Sequence, residues 1–460
     1  MFHYMKREPG FYRNIVALAL PIVLQNLVTS TLAMADTFMV GLLGEVPMAG
    51  LTLANIPFYA LQMFFFGVQS GSAVLISQYW GKGDRKAINR ILSLGWLVVG
   101  LVSVLFSIIL LAAPHRFMGM FSNDPAAVDV AARYGRIVCI SYVLNGITLV
   151  YVGAHRSMEN PKLGLYMLSA SMLTNTFLNW ILIFGKLGAP KLGIEGAAIA
   201  TLISRCVELV IMFVHIARSK HFVLDVPSLL HPGREAAVKL FTYATPVILN
   251  ETLWGIGTGL YPTIMGHMEN STEILAAFTV AGNIEKLALV ALIGLSATAA
   301  IIIGREIGAG RQRTVYDVGL ALNVLSTGVG LVVGLVMLAL SWTLVPRYIF
   351  PLFQLSHSTS RIALTMLTMI AVMMAPRAFN FTNIVGVLRG GGDVRAATVI
   401  DLLPLWLVSI PAAALFGLVL KWGVFWVYVA ISLDQLVKFF LGICRLRSGE
   451  WINDLTVTED

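Results

Sequence analysis

Long runs of apolar residues, separated by short polar or charged stretches, recur from one end of the chain to the other. A run of about 20 apolar residues is long enough to cross a bilayer as an α-helix. On that criterion the pattern predicts an all-α membrane protein with twelve transmembrane helices. The predicted segments lie at 12–38, 49–76, 90–113, 133–153, 162–186, 195–216, 239–266, 277–303, 315–341, 361–387, 395–420 and 423–445.

The charged residues agree with this prediction and give its orientation. Of all residues, 57% are hydrophobic and 12% are charged, about half the charged fraction of a soluble domain. Lys and Arg collect at the N-terminus and after segments 2, 6 and 8, whereas the loops after segments 1 and 7 contain none. Cytoplasmic loops carry such an excess. We therefore expect both termini in the cytoplasm, and the net charge of +8 gives no reason to expect nucleic-acid binding.

The two halves of the chain repeat each other in order. ALALPIVLQN in segment 1 resembles TYATPVILNE in segment 7, which places Pro21 opposite Pro246. Six segments per half insert both halves the same way up, which predicts parallel repeats with a pseudo-symmetric cleft between them, as in alternating-access carriers. The alternative is a gene duplication that forms no cleft. The predicted units are two six-helix lobes and a cytoplasmic linker: an N-lobe at 1–217, the linker at 218–238 and a C-lobe at 239–460.

An acid inside the first apolar segment is the foremost functional candidate. Asp36 lies in TLAMADTFMVG, with no basic residue near it in sequence. A charge at the bilayer centre costs about 2.5–3.5 kcal/mol on insertion scales, so such residues are functional by default. Burial favours the protonated carboxylate, which suits a group that must gain and lose a proton. The alternative is a solvated carboxylate at the outer end of the helix.

Two amides and a second acid are further candidates for cation coupling. Asn175 and Asn179 lie four positions apart on one face of segment 5. They can hydrogen-bond a carboxylate on a facing helix or supply oxygens that coordinate a cation, or they can simply bond neighbouring helices. Glu251 in segment 7 is either a coupling acid or one half of a structural ion pair with Arg377 of segment 10.

Segments 1 and 7 also supply candidates for lining the cleft or bending a helix. Gln25 and Asn26 share segment 1 with Asp36, and Pro21 can kink that segment. Tyr261 occupies the position in segment 7 that corresponds to Asp36, so the two lobes are predicted to differ in where they place an acid.

The remaining charges in the later segments have simpler interpretations. Arg377 can attract an anionic substrate or pair with an acid. Asp401 opens segment 11 and is expected near the cytoplasmic surface. Asp434 and Lys438 in segment 12 are four residues apart, which predicts a structural ion pair.

These motifs together resemble the multidrug and toxic compound extrusion (MATE) family of cation-coupled exporters. The resemblance runs from Arg13 to Arg445 and rests on ADTFMVG, SQYWGKGD, NTFLNWILIFG with LGIEGAAIAT, and GVLRGGGD. It implies a monomer of two six-helix lobes in the bacterial cytoplasmic (inner) membrane, in contact with membrane lipids. It also implies export of amphipathic, often cationic small molecules in exchange for H⁺ or Na⁺.

The resemblance implies roles for single residues. Asp36 matches the first-helix acid that is essential for coupling in many members, and Pro21 matches a proline where that helix bends. Glu251 matches the seventh-helix glutamate of NorM-like members. Asn175 matches a fifth-helix asparagine near the first-helix acid, and Asn179 stands where some archaeal and DinF-like members have a second acid.

The chain also departs from the family pattern. NorM-like members carry an acid in the tenth helix where this chain has Ala378, so a three-acid sodium site is not predicted and the subfamily stays open. Sodium needs several oxygens, whereas one carboxylate suffices for a proton. Both ions remain open, and the scarcity of acids favours H⁺.

Other classes of protein and other cofactors are not predicted. The three cysteines show no ligand spacing, so we expect neither a metal cluster nor a cofactor beyond the coupling ion. The sequence has no paired catalytic carboxylates, zinc motif or Ser–Lys set, which argues against an intramembrane enzyme. The alternative function is a flippase for a lipid-linked precursor, which would need several cations in its cavity. Only Arg205 and Arg377 qualify.

Overall fold

The computed structural model describes residues 9–219, 222–353 and 355–457, and within these ranges the fold is all-helical and has no β-strand. The predicted all-α fold with twelve long helices is confirmed. In chain order they are α1 Pro9–Gly41, α2 Glu45–Lys82, α3 Arg85–Ala112, α4 Pro125–Ser157, α5 Pro161–Phe184, α6 Ile194–Arg218, α7 Arg234–Gly266, α8 Ser271–Gly308, α9 Gln312–Ile349, α10 His357–Val372 with Met374–Leu388, α11 Val394–Val419 and α12 Val424–Ser448. Shorter helices lie at Pro114–Gly119, Val226–Leu230 and Phe350–Leu352.

Most of these helices are long and apolar enough to cross a membrane. In the described ranges ten meet that condition, and α10 makes eleven if its two parts form one span. Helix α7 is less apolar because its middle turns carry Thr245, Asn250 and Glu251. A chain with this many apolar helices is a multi-pass membrane protein.

Local sequence determines the turn between α2 and α3. Gly83 ends α2 with a φ of 80°, a left-handed conformation that glycine adopts without steric cost. Asp84 then begins α3, because its carboxylate accepts a hydrogen bond from the backbone N–H of Ala87 at 3.0 Å, as N-cap residues do. The SQYWGKGD motif is therefore a helix end followed directly by a helix start.

Helix α10 bends by 50° between its two parts. Pro376 explains the bend, because a proline ring clashes with the carbonyl four residues earlier, and Val372 is the residue at which the first part ends. The later turns, Phe381–Leu388, are π-helical. Both features change the face of α10 on which later side chains lie.

The chain divides into two compact units. The N-unit is Leu24–Ile248, and the C-unit combines Met1–Val23 with Leu249–Asp460. Helices α1 and α7 are each divided between the units. The first half of α1 belongs to the C-unit and the first half of α7 to the N-unit, which differs from the predicted lobes at 1–217 and 239–460. The predicted lobes and their linker stay a prediction.

Small residues allow close helix packing inside each unit. In the N-unit, a Cβ added at Gly71 of α2 would lie 2.4 Å from the Cα of Ala244 in α7. In the C-unit, a Cβ added at Gly294 of α8 would lie 2.4 Å from Cγ2 of Val23 in α1. Small residues at membrane helix interfaces let backbones approach in this way. The half-helices of α1 and α7 are thus tightly packed parts of their units.

The C-unit has a core that includes the end of the chain. Ile15, Leu18 and Ile22 of α1 belong to the same apolar cluster as the fully buried Trp451. The Trp451 indole donates a hydrogen bond to the carbonyl of Leu446 at 3.1 Å. The residues that follow α12 therefore contribute to the fold of this unit.

Candidate functional site

The acid of the first apolar segment lies beside one of the predicted amides. Asp36 is half-buried in the second half of α1, within the N-unit. Its Oδ1 accepts a hydrogen bond from Asn179 Nδ2 of α5 at 2.5 Å. The structure thus brings together two residues that are far apart in sequence and were predicted to act together.

A chain of amide and hydroxyl groups continues behind Asp36. Asn179 Nδ2 also donates to Asn175 Oδ1 at 3.0 Å, and Asn175 Nδ2 donates to Thr201 Oγ1 of α6 at 3.3 Å. Both asparagines are 1% exposed, and Asn179 Oδ1 has no hydrogen-bond partner among the described residues. The spacing of four residues predicted their shared face. Thr201 was missed, although it lies in the quoted LGIEGAAIAT motif.

The base that acts electrostatically on Asp36 is already paired. This base is Arg205 of α6, which acts electrostatically on Asp36. Its Nη1 lies 2.6 Å from Glu208 Oε1, so its charge is already paired. Thr148 Oγ1 donates to the other oxygen of Glu208 at 3.2 Å. In the described part of the chain, no base lies within salt-bridge distance of Asp36. Asp36 is therefore held by a neutral amide, and Glu208, which sequence reasoning missed, takes up the nearby positive charge.

The other candidates in α1 have structural contacts. Gln25 is 1% exposed, accepts a hydrogen bond from Arg156 Nη2 at 3.0 Å and donates to the carbonyl of Pro161. It joins α1 to α4 and α5, so these contacts do not support its predicted place in a cavity. Asn26 is half-buried, and its Nδ2 has no partner among the described residues. Pro21 lies inside the continuous helix α1, and its part in bending that helix stays a prediction.

The second predicted acid is held by a buried arginine. Glu251 Oε1 of α7 lies 2.9 Å from Arg389 Nη1, and the Arg389 side chain is 1% exposed. The predicted partner, Arg377, instead binds Glu285 of α8. The alternative interpretation of Glu251 as the partner of Arg377 was thus wrong, and the π-helical turns at Phe381–Leu388, which separate Arg377 from Arg389, are the local irregularity between the two arginines. Glu285 was missed, although it is an acid in an apolar segment, as Asp36 is.

A lysine shared by two acids lies in the same unit. Lys438 Nζ of α12 is 2.8 Å from Asp401 Oδ1 and 3.1 Å from Asp434 Oδ2. The pair of Asp434 with Lys438 has the spacing predicted from sequence. Asp401 of α11, expected near the surface of the membrane, joins it and accepts a further hydrogen bond from Asn250 Nδ2 at 2.9 Å.

A cavity of about 110 Å³ lies between these charged groups in the C-unit. Polar and apolar side chains both line it: Glu251, Trp254, Arg377, Asn380, Phe381, Ile384, Val385, Arg389, Asp401, Gln435 and Lys438. Tyr261, the counterpart of Asp36, is absent from this lining. It is 6% exposed in the core, and its hydroxyl lies 2.7 Å from Ser409 Oγ.

Comparisons with known proteins agree with this architecture. The family model described as MatE matches residues 21–181 and again 246–415, so both halves carry the same pattern, beginning at Pro21 and at Pro246. A probable multidrug resistance protein NorM of Thermotoga maritima is 23% identical over 100% of this chain and 97% of its own length. A probable multidrug resistance protein YoeA of Bacillus subtilis is 25% identical over 95% and 93%. The solved structure of a MOP superfamily transporter from Pyrococcus furiosus superimposes with a TM-score of 0.83 at 19% identity, covering 97% of each chain.

Proposed function

The chain belongs to the MATE family of membrane transporters, and we propose that it exports amphipathic cationic compounds in exchange for protons that enter through Asp36. The observation that carries the proposal is the partner of this acid: Asp36 binds the Asn179 amide at 2.5 Å, whereas Glu251 binds an arginine. An acid with a fixed base is already neutralised. Of these two acids, Asp36 is therefore the one with a charge to be neutralised by a transported cation.

Several contacts favour H⁺ over Na⁺ at this position. Asn179 presents its Nδ2 to Asp36, and a donor that points at the carboxylate stabilises the ionised form without binding a metal ion. Sodium would need several oxygens, so Asn179 would have to turn its amide, and Asn175 Oδ1 already accepts from Asn179. A proton needs a single carboxylate oxygen and no such rearrangement.

The proposed cycle follows from the charge on Asp36. With the site open to the outside, Asp36 takes up a proton, which removes a charge from the interior and weakens its bond to Asn179. The changed helix packing favours release of the exported compound and then the return to the inward-open state, where the proton leaves. The membrane potential assists inward charge movement by about 2.3 kcal/mol per charge per 100 mV. We further propose a monomer in the bacterial cytoplasmic membrane with both termini inside.

A flippase for a lipid-linked precursor receives no specific support from the charges. The two cations that were candidates for binding its pyrophosphate are each paired, Arg205 with Glu208 and Arg377 with Glu285. Neither is free to neutralise a phosphate group without breaking an ion pair.

The test is uptake of a fluorescent lipophilic cation by vesicles containing the purified protein, driven separately by a pH gradient and by a sodium gradient. The pH gradient is expected to drive transport by the natural protein. Asp36→Asn should abolish that transport while keeping its thermal unfolding midpoint. Asp129→Asn, an exposed acid of α4 in the same unit, is the matched control and should transport normally. Undiminished proton-driven transport by Asp36→Asn, or transport driven by sodium alone, would contradict the proposal.

A further inference from the structure

The ion pairs inside the C-unit leave one acid without a base of its own. Glu251 pairs with Arg389, Glu285 pairs with Arg377, and a single lysine serves two aspartates. The cluster thus contains four carboxylates and three basic groups, which are Glu251, Glu285, Asp401 and Asp434 against Arg377, Arg389 and Lys438. Among the described residues, one negative charge in this buried region remains uncompensated.

The contacts identify the acid that is in excess. Asp401 is bound on both oxygens, by Lys438 at 2.8 Å and by Asn250 at 2.9 Å. On Asp434, Lys438 at 3.1 Å and Gln435 Nε2 at 2.9 Å both contact the same oxygen, Oδ2. The other oxygen, Oδ1, is buried and has no hydrogen-bond partner within the described ranges. Asp434 is 5% exposed, so water does not screen the excess charge.

An unpaired buried carboxylate is expensive and is commonly neutralised by binding a proton. A metal ion does not suit this place, because it needs several oxygens and the ammonium of Lys438 lies where Asp401 and Asp434 converge. A proton needs one free oxygen, which Asp434 Oδ1 offers. We propose that Asp434 is a proton-binding site of the C-unit, and that the Lys438 ammonium occupies the position between Asp401 and Asp434 where a metal cation would otherwise bind.

Several other charged or titratable groups face Asp434 from the surrounding helices. Lys438 and Gln435 come from its own helix, and Asp401 comes from α11. Arg377 of α10 acts on it electrostatically but is bound to Glu285, and Tyr261 of α7 lies within electrostatic range. Tyr428 of α12 acts electrostatically on Arg377, and Glu251 of α7 is bound to Arg389. When Asp434 holds the proton, Lys438 can neutralise Asp401 alone. When the proton leaves Asp434, the single ammonium of Lys438 must neutralise both acids. Any role of this proton exchange in transport rests on the proposed function, whereas proton binding by Asp434 does not.

Counting the protons bound by the purified full-length protein in lipid nanodiscs tests the charge balance. Asp434→Asn should bind one proton fewer than the natural protein, because four acids become three for three bases. Counted on the carboxyl groups alone, because Lys438→Met also lacks the ammonium proton of Lys438, Lys438→Met should bind one more, and the double variant should return to the natural number. Asp393→Asn is the matched control, since Arg445 keeps Glu450 as a partner, and it should leave the count unchanged.

Infrared spectroscopy of the same samples tests the location. Glutamate and aspartate differ in the position of the carbonyl band of the protonated acid, so Asp434→Glu should move this band and Glu251→Asp should leave it in place. An unchanged proton count in both Asp434→Asn and Lys438→Met, or a band that moves with Glu251→Asp only, would overturn the inference. If Asp434→Asn does not fold, Lys438→Met and Asp434→Glu still decide. Failure of Asp36→Asn to alter transport would refute the proposed function but would leave this proton count untouched.

Discussion

Replacing Glu251 with glutamine is expected to destabilise the C-unit, because it leaves the Arg389 guanidinium buried without its counter-ion. Removing one partner of a buried ion pair costs about 3–5 kcal/mol. Two features of the structure lower this figure. The Glu251 side chain is 16% exposed and lines the cavity, and Asp401 acts electrostatically on Arg389. We therefore expect Glu251→Gln to lower the free energy of unfolding by about 2–3 kcal/mol.

The assay is reversible unfolding of the purified protein in a bilayer mimic, followed by tryptophan fluorescence. The matched control is Glu195→Gln in the N-unit, whose partner Arg133 lies at 3.3 Å with both side chains well exposed. Exposed pairs contribute about 0–1 kcal/mol, so this control should be nearly as stable as the natural protein.

The double variant Glu251→Leu with Arg389→Met tests whether the loss of stability comes from the unpaired Arg389 or from the absence of the ion pair itself. Replacing a buried pair by apolar residues of similar size is often neutral or stabilising, so the double variant should recover most of the stability. Proton-driven transport per folded molecule should also persist, because Glu251 is not the proposed coupling acid. A single variant as stable as the natural protein, or a double variant less stable than the single one, would refute the reasoning.

Three further changes have defined outcomes. Asn179→Asp places a second carboxylate beside Asp36; two adjacent acids cannot both ionise, so this variant should bind one proton more than the natural protein in a direct proton count. Gly71→Ala drives a Cβ to 2.4 Å from the backbone of α7 and should cost about 1–3 kcal/mol in unfolding free energy, whereas Gly100→Ala, with no atom within 4 Å, should not destabilise. Trp451→Ala removes a fully buried indole and should cost about 3–5 kcal/mol in the same unfolding assay; a smaller loss than that of Gly100→Ala would contradict the packing described.

The hydrophobic pattern predicted the twelve helices because each must present about 20 apolar residues to lipid. The same pattern predicted that Asn175 and Asn179 share a face, since four residues make one helical turn. It did not predict that this face meets Asp36, because contacts between α1 and α5 depend on how separate helices pack. For that contact the family resemblance was the available signal.

The wrong partner for Glu251 has a local cause. Arg377 lies on α10 and Arg389 directly follows it, and a regular helix would allow the face of each to be read from spacing. The π-helical turns at Phe381–Leu388 lie between these positions, whereas the bend lies ahead of both. A π-helical turn contains more residues than an α-helical one, so the side chains beyond it are rotated from the expected face. Sequence spacing fails at such a point.

The two units show that an acid in a membrane helix must be interpreted through its partner. Protonating Glu251 would leave Arg389 as a buried, unpaired cation, and this penalty opposes proton binding there. Protonating Asp36 leaves only the Asn179 amide, which keeps its bond to Asn175 at 3.0 Å. A carboxylate in a membrane helix can therefore be structural, as Glu251 is, or exchange a proton, as is proposed for Asp36. The acid available for coupling is the one whose partner remains satisfied in both protonation states.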